Sequence, residues 1–184
     1  MHQPHVACIA KGKAHQPFEF GSKVSIATTV KGCWVVGIEN FRGNPFDGAT
    51  LRTAIAGVTS VTGCEVKRAF VDKGYRGRKH HPRGVQVLIS GRKNLKPALA
   101  RKLKRRQSVE PIIGHLKTDH RLRRNFLHGE LGDILNAVLA GVGFNFRKLM
   151  RAWRDAWVLL VQFVMALVRL FFQNQAAHRL LPGA

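Results

Sequence analysis

Between Lys67 and Arg124 the chain carries nineteen Lys or Arg residues against three acids, Asp72, Glu110 and Asp119, an excess of +16 in 58 residues. A block of that charge commonly forms a disordered tail. Here it is interleaved with Val85-Gln86-Val87-Leu88-Ile89, a buried-strand pattern stopped by Ser90-Gly91, and with segments of helical spacing. The strand has to be buried and the cations solvated or neutralised, so the block must fold as a positive face over a packed layer. It holds about three-quarters of the whole chain's excess of +21. Charge of that size is tolerated best beside a polyanion, with nucleic acid the first candidate and an anionic membrane surface the second. The 184 residues are 45% apolar, enough for one domain with a real core, which argues against wholesale disorder.

Around that block the pattern alternates. Residues 1 to 17 read as an irregular basic lead-in. Phe18 to Thr29 reads as a strand, Lys31-Gly32 as a turn and Cys33 to Glu39 as the returning strand of a hairpin. Thr50 to Val61 places Leu51, Ala54, Ile55 and Val58 on one helical face, and Gly63 closes it. Val66 to Asp72 is a short strand ending on an acid, and Lys73 to Gly84 is a basic loop. Everything after Pro97 reads helical, with breaks near Pro111, Asn125 and Gly129, and a kink is expected at Pro111. The class is therefore α/β with a helical C-terminal third, divided into 1–150 and an apolar helix and tail over 151–184.

In that tail, Trp157 to Phe172 is apolar except for Gln162 and Arg169. Its sixteen residues fall short of the ~20 that a spanning helix needs. Asp155, Gln162 and Arg169 also recur every seventh residue, one polar line along the helix. A docking or self-association helix is expected, without stable membrane insertion. Cys8, Cys33 and Cys64 are isolated, which fits a reducing cytosol better than a zinc knuckle or disulfide framework. The first ten residues lack an apolar signal region, so a cytoplasmic, nucleoid-associated protein is expected.

Two carboxylates inside a cationic face repel nucleic acid unless something bridges them to phosphate. A divalent metal does so: Mg²⁺ takes oxygen ligands and is commonly held by one or two carboxylates plus substrate phosphates. Ordinary salt bridging in an Arg-rich protein is the alternative. Asp72 ends a strand and precedes Lys73-Gly74-Tyr75-Arg76-Gly77, where glycines allow a ligand close to the backbone. Arg106, Glu110 and Lys117 share a helical face, one acid flanked by two phosphate-binding cations.

Asp72-Lys73-Gly74-Tyr75 and the spacing Arg106-x3-Glu110-x6-Lys117 resemble insertion-sequence transposases of the DDE type. Those carry an Asp-x-Gly-Tyr motif and a Tyr-x2-Arg-x3-Glu-x6-Lys signature. The similarity extends to Phe18-Glu19-Phe20-Gly21-x-Lys23-Val24, to Gly43 through Gly48, and to Gly132-x3-Asn136-x8-Asn145, covering roughly residues 8 to 150. It implies an RNase H-like mixed sheet flanked by helices. It also implies Asp72 and Glu110 as catalytic Mg²⁺ (or Mn²⁺) ligands, with Arg106 and Lys117 as DNA-backbone contacts. Lys73, Arg76, Arg78, Lys104 and Arg105 extend that basic surface.

Two positions depart from the signature. Its tyrosine is Leu103 here, and no Asp precedes Phe18, where the first catalytic aspartate would lie; Glu19 and Glu39 do not match it. The resemblance thus implies a C-terminal fragment of the catalytic domain, lacking its first strand, that binds DNA with little or no cleavage or strand transfer. Its partners would be insertion-sequence ends and target DNA, with a homo-oligomer or a full-length transposase beside them. A non-catalytic DNA-binding remnant and a membrane-associated basic protein are the competing classes. Among other residues, His80-His81 point apart and read as solvated or phosphate-facing, and His115 and His120 as structural. Asp47 reads as a helix N-cap or turn residue, Phe144, Phe146 and Trp153 as core, and Asn145 as a buried hydrogen-bonding residue.

Overall fold

The structure is a computed structural model that describes the backbone of residues 6–10 and 17–179, and side chains as far as residue 170. It is a mixed α/β chain, as the alternating patterns predict. One strand lies where the sequence reads as irregular: β1 (Ala7–Ala10) pairs antiparallel with β2 (Phe18–Gly21), Ile9 facing Glu19. Four residues with one buried side chain, Ile9, carry too little alternation to stand out. The remaining lead-in, 1–5 and 11–16, falls outside the described residues.

The single strand expected over Phe18 to Thr29 is two. Gly21 sits at φ 136, and the chain changes partner there: β3 (Lys23–Thr28) pairs antiparallel with β4 (Val35–Phe41). The expected hairpin is present, and its turn is closed from both sides of Thr29. That residue's N–H donates to the Trp34 carbonyl (2.9 Å), and its hydroxyl accepts from the Trp34 N–H (3.0 Å). Cys33 lies in the turn at φ 52, so the returning strand starts at Val35, two residues later than its β-rich composition suggests.

Helix α1 (Asp47–Thr62) closes where expected: Gly63 takes φ 65 and its N–H reaches the Thr59 carbonyl at 2.9 Å. β5 (Arg68–Val71) and β6 (Gln86–Ile89) run parallel, with Val71 opposite Ile89 and Leu88 fully buried. Among the described residues the six strands form three separate pairs, two antiparallel and one parallel. A single mixed sheet would need inner strands bonded on both sides, and each strand here has one partner.

Helix α2 (Pro97–Arg105) is followed by a 3-10 turn over Arg106–Ser108 and then α3 (Val109–Thr118). The break thus precedes Glu110 rather than falling at Pro111. As the third residue of α3, Pro111 sits among the first-turn N–H groups that have no intrahelical acceptor, so its missing donor breaks no bond. Ile112 and Leu116, four apart on α3, pack with Val35 of β4 and with Ala140. Ile26, Ile38, Leu122 and Phe144 surround them. Burying that face turns Glu110 and Lys117 outward.

Helix α4 (Gly129–Arg179) carries Ala140 and spans the division between two compact units, 1–145 and 146–184. Asn145, the last residue of the first unit, satisfies both backbone groups of Val35. Its Oδ1 accepts from the Val35 N–H (3.0 Å) and its Nδ2 donates to the Val35 carbonyl (2.7 Å), the hydrogen-bonding role expected of it. In the second unit every residue from Leu149 to Leu170 is exposed. Phe146 and Trp153, expected in the core, are 61% and 64% exposed, whereas Phe144 packs as expected. Aromatic content marks apolar surface but not which helical segment meets the core. Among the described residues no helix is long and apolar enough to cross a membrane.

Candidate functional site

The parallel pair places two polar side chains together at its carboxyl end. Asp72 follows β5 and Ser90 follows β6, and the Ser90 N–H bonds the Val71 carbonyl at 2.9 Å, carrying the ladder one residue further. Asp72 caps the 3-10 turn over Lys73–Tyr75: its Oδ1 accepts from the Lys73 N–H (2.7 Å) and from the Ser90 hydroxyl (3.1 Å). The Lys73 backbone N–H holds this carboxyl below its ordinary value of 3.8. Burial opposes this as the next largest effect, and the Ser90 hydroxyl and the charges of Arg106 and Lys73 add smaller contributions that lower it.

Arg106 connects the two acids singled out by the sequence. Its Nη1 lies 3.6 Å from Asp72 Oδ2 and its Nη2 lies 3.4 Å from Glu110 Oε1. The Arg106 side chain is only 17% exposed, against 56% for Asp72 and 70% for Glu110. The guanidinium is therefore largely committed to the carboxylates. Lys117 is exposed near the end of α3, two turns beyond Glu110, and lines a cleft of about 1290 Å³. Phe18 and Phe20 of β2, with Arg123 and Arg124, also border it. Lys104 and Arg105 are exposed at the end of α2.

A second cleft, of about 630 Å³, adjoins Asp72 through Ser90 and gathers Arg76, Arg78, His81 and Arg92. The His81 Nε2–H donates to the Tyr75 carbonyl at 3.0 Å, fixing the ring across this loop. Lys73 passes beside Gly91 on the same side. Four cationic or protonatable side chains around one concavity suit a phosphate oxygen. Sequence reasoning missed Ser90 and Arg92. The available signal was position: Ser90-Gly91-Arg92 ends the strand that runs beside β5, and ligands gather at the carboxyl ends of parallel strands.

Two other residues act differently from the expectation. Asp47 is the first residue of α1, whose N-cap is Phe46 without a capping side chain, and its carboxylate is ion-paired with Lys23. Gly74 is small for the sake of that carboxylate: a Cβ there would collide with Asp47, so the close approach is to a protein group. His115 bonds Asp119 within α3's last turn at 3.0 Å, in keeping with a structural role.

Asp72 and Glu110 are the residues that could take Mg²⁺, but Arg106 already lies between them, so an ion there would have to sit beside the guanidinium and complete its shell with phosphate oxygens and water. They do not make a protein-only cage, since no group of three or more His, Cys, Asp or Glu side chains among the described residues could hold a metal ion. Comparison with known proteins finds no matching family model, no matching curated protein and no matching solved structure.

Proposed function

We propose that the chain is a DNA-binding part of an insertion-sequence DDE transposase catalytic domain, with Asp72 and Glu110 as two of its metal-binding acids. One observation carries the reading: Asp72 at the end of β5 and Glu110 in the first turn of α3, 38 positions apart in sequence, meet the same guanidinium within a cationic surface. An RNase H-like ancestry is supported by the element order: an antiparallel pair, β3–β4, then helix α1, then a parallel pair, β5–β6, followed by α2 and α3.

On this reading Arg76, Arg78 and Arg92, with Lys73, Lys104, Arg105 and Lys117, hold the DNA backbone, and each phosphate contact releases counterions. Arg106 positions the acids instead of contacting DNA. Asp72 and Glu110 would hold Mg²⁺ or Mn²⁺, which when bound would neutralise charge on a phosphodiester. The placement of these two carboxylates would set the rate, because a misplacement of about 1 Å can cost ~100-fold. The partners are insertion-sequence ends and target DNA, together with a second copy or a full-length transposase, in the cytoplasm at the nucleoid.

A second reading, a non-catalytic DNA-binding remnant, is favoured by Arg106 itself, which accounts for both acids without a metal. Duplex binding and Mg²⁺-dependent nicking by the full chain separate these. The expected result is DNA binding that falls roughly 10³-fold between ~50 and ~200 mM salt, as about six phosphate contacts require, with weak nicking abolished by Asp72→Ala. Binding without any nicking selects the remnant. Failure to bind DNA removes both.

A further inference from the structure

We infer that the helix of the second unit pairs with the same helix of a second copy, antiparallel and centred on Gln162. One turn to either side of Gln162 it exposes Val158, Leu159 and Met165 by 48–66% each, a surface that water disfavours and a partner facing Gln162 would cover. Beyond Asp155 the described side chains offer only Gln162 and Arg169 as polar groups. Seven-residue spacing keeps all three in one line, the seam geometry in which isolated polar positions set the register of paired helices.

The line is self-complementary in one orientation. Asp155 and Arg169 lie equally far to either side of Gln162, so two antiparallel copies in register set each Asp155 against the partner's Arg169 and Gln162 against Gln162. The helical part of the unit runs from 146 to 179, and Gln162 is at its midpoint, so this register also gives the longest overlap. A parallel pair would instead bring the cations Arg147, Lys148, Arg151 and Arg154 of both copies side by side and set Asp155 against Asp155. Within one chain Asp155 Oδ1 accepts from its exposed neighbour Arg154 at 3.0 and 3.2 Å, a surface contact that the cross-chain pair can share or replace.

Sedimentation velocity of the full chain, in buffer without DNA or lipid, tests this with charge reversals at two exposed positions. The wild type should sediment as a concentration-dependent dimer. Asp155→Arg or Arg169→Asp should each weaken it by about tenfold, because two attractive pairs per dimer become repulsive. Asp155→Arg combined with Arg169→Asp should restore it, which also shows that neither substitution acts by unfolding the helix. A parallel dimer already opposes like charges, and neither the single nor the double variant would shift it. A chain that stays monomeric, or a dimer insensitive to the single reversals, overturns the inference.

Discussion

From Arg68 to Lys117 the surface is charged, held down by a few buried residues such as Val71, Leu88 and Leu116. From Leu149 to Leu170 it is mostly apolar, broken by Arg151, Arg154, Asp155, Gln162 and Arg169, with no residue buried. Each stretch is the kind of surface an isolated chain in water does not need, and the two proposals replace water differently: by phosphate at the first, by another apolar helix at the second. The difference shows that exposure alone says little about function. The chemistry of what is exposed decides the partner, and added salt should separate the two. It weakens phosphate contacts by restoring counterions to the nucleic acid, whereas burial of apolar surface survives it.

The largest expected effect falls on the first region. Leu116→Ala removes a side chain that is fully buried between β4 and α4, and should cost about 2–5 kcal/mol in urea denaturation. An unchanged midpoint would break the view that α3 anchors the charged surface. Next comes Asn145→Ala, at the last position before the exposed helix. It leaves the Val35 N–H and carbonyl without their side-chain partner and should lower stability by about 1–3 kcal/mol by the same measurement. A neutral result would mean that β4 does not need this clamp.

The smallest effect is electrostatic and sharpens the comparison at a single carboxylate. Because the folded value of Asp72 is depressed, its stabilising contribution is present above 3.8 and is lost as pH falls through the lower folded value. Arg106→Gln and Ser90→Ala should each move the Asp72 titration, followed by carboxyl-carbon NMR, up toward the ordinary value. The stability change should be slight, since the side chain is 56% exposed. A titration that neither variant moves would detach Asp72 from both partners.

Much of this arrangement is legible in the sequence. Gly63 closes α1, the β-rich runs before Asp72 and Ser90 are strands, and Asn145 is a hydrogen-bonding residue, because each rests on local chemistry that neighbouring residues state. The split at Gly21 and the strand at Ala7–Ala10 are harder to see, since the strand's pairing partners lie eight to fourteen positions away and four residues give no periodicity. The role of Arg106 is half legible. Its spacing of four from Glu110 is local, but nothing local says that the same guanidinium also reaches Asp72, 34 positions earlier. Asp47 shows the same limit, as its partner Lys23 lies on another element.

Arg106 carries its own implication for how a polyanion would meet this face. A guanidinium shared by Asp72 and Glu110 acts as a resident counterion, so two acids leave one net negative charge, felt only over the ~8 Å that physiological salt allows. A strand sliding past at greater distance would sense the surrounding cations. Only a group that comes close would discover the acids.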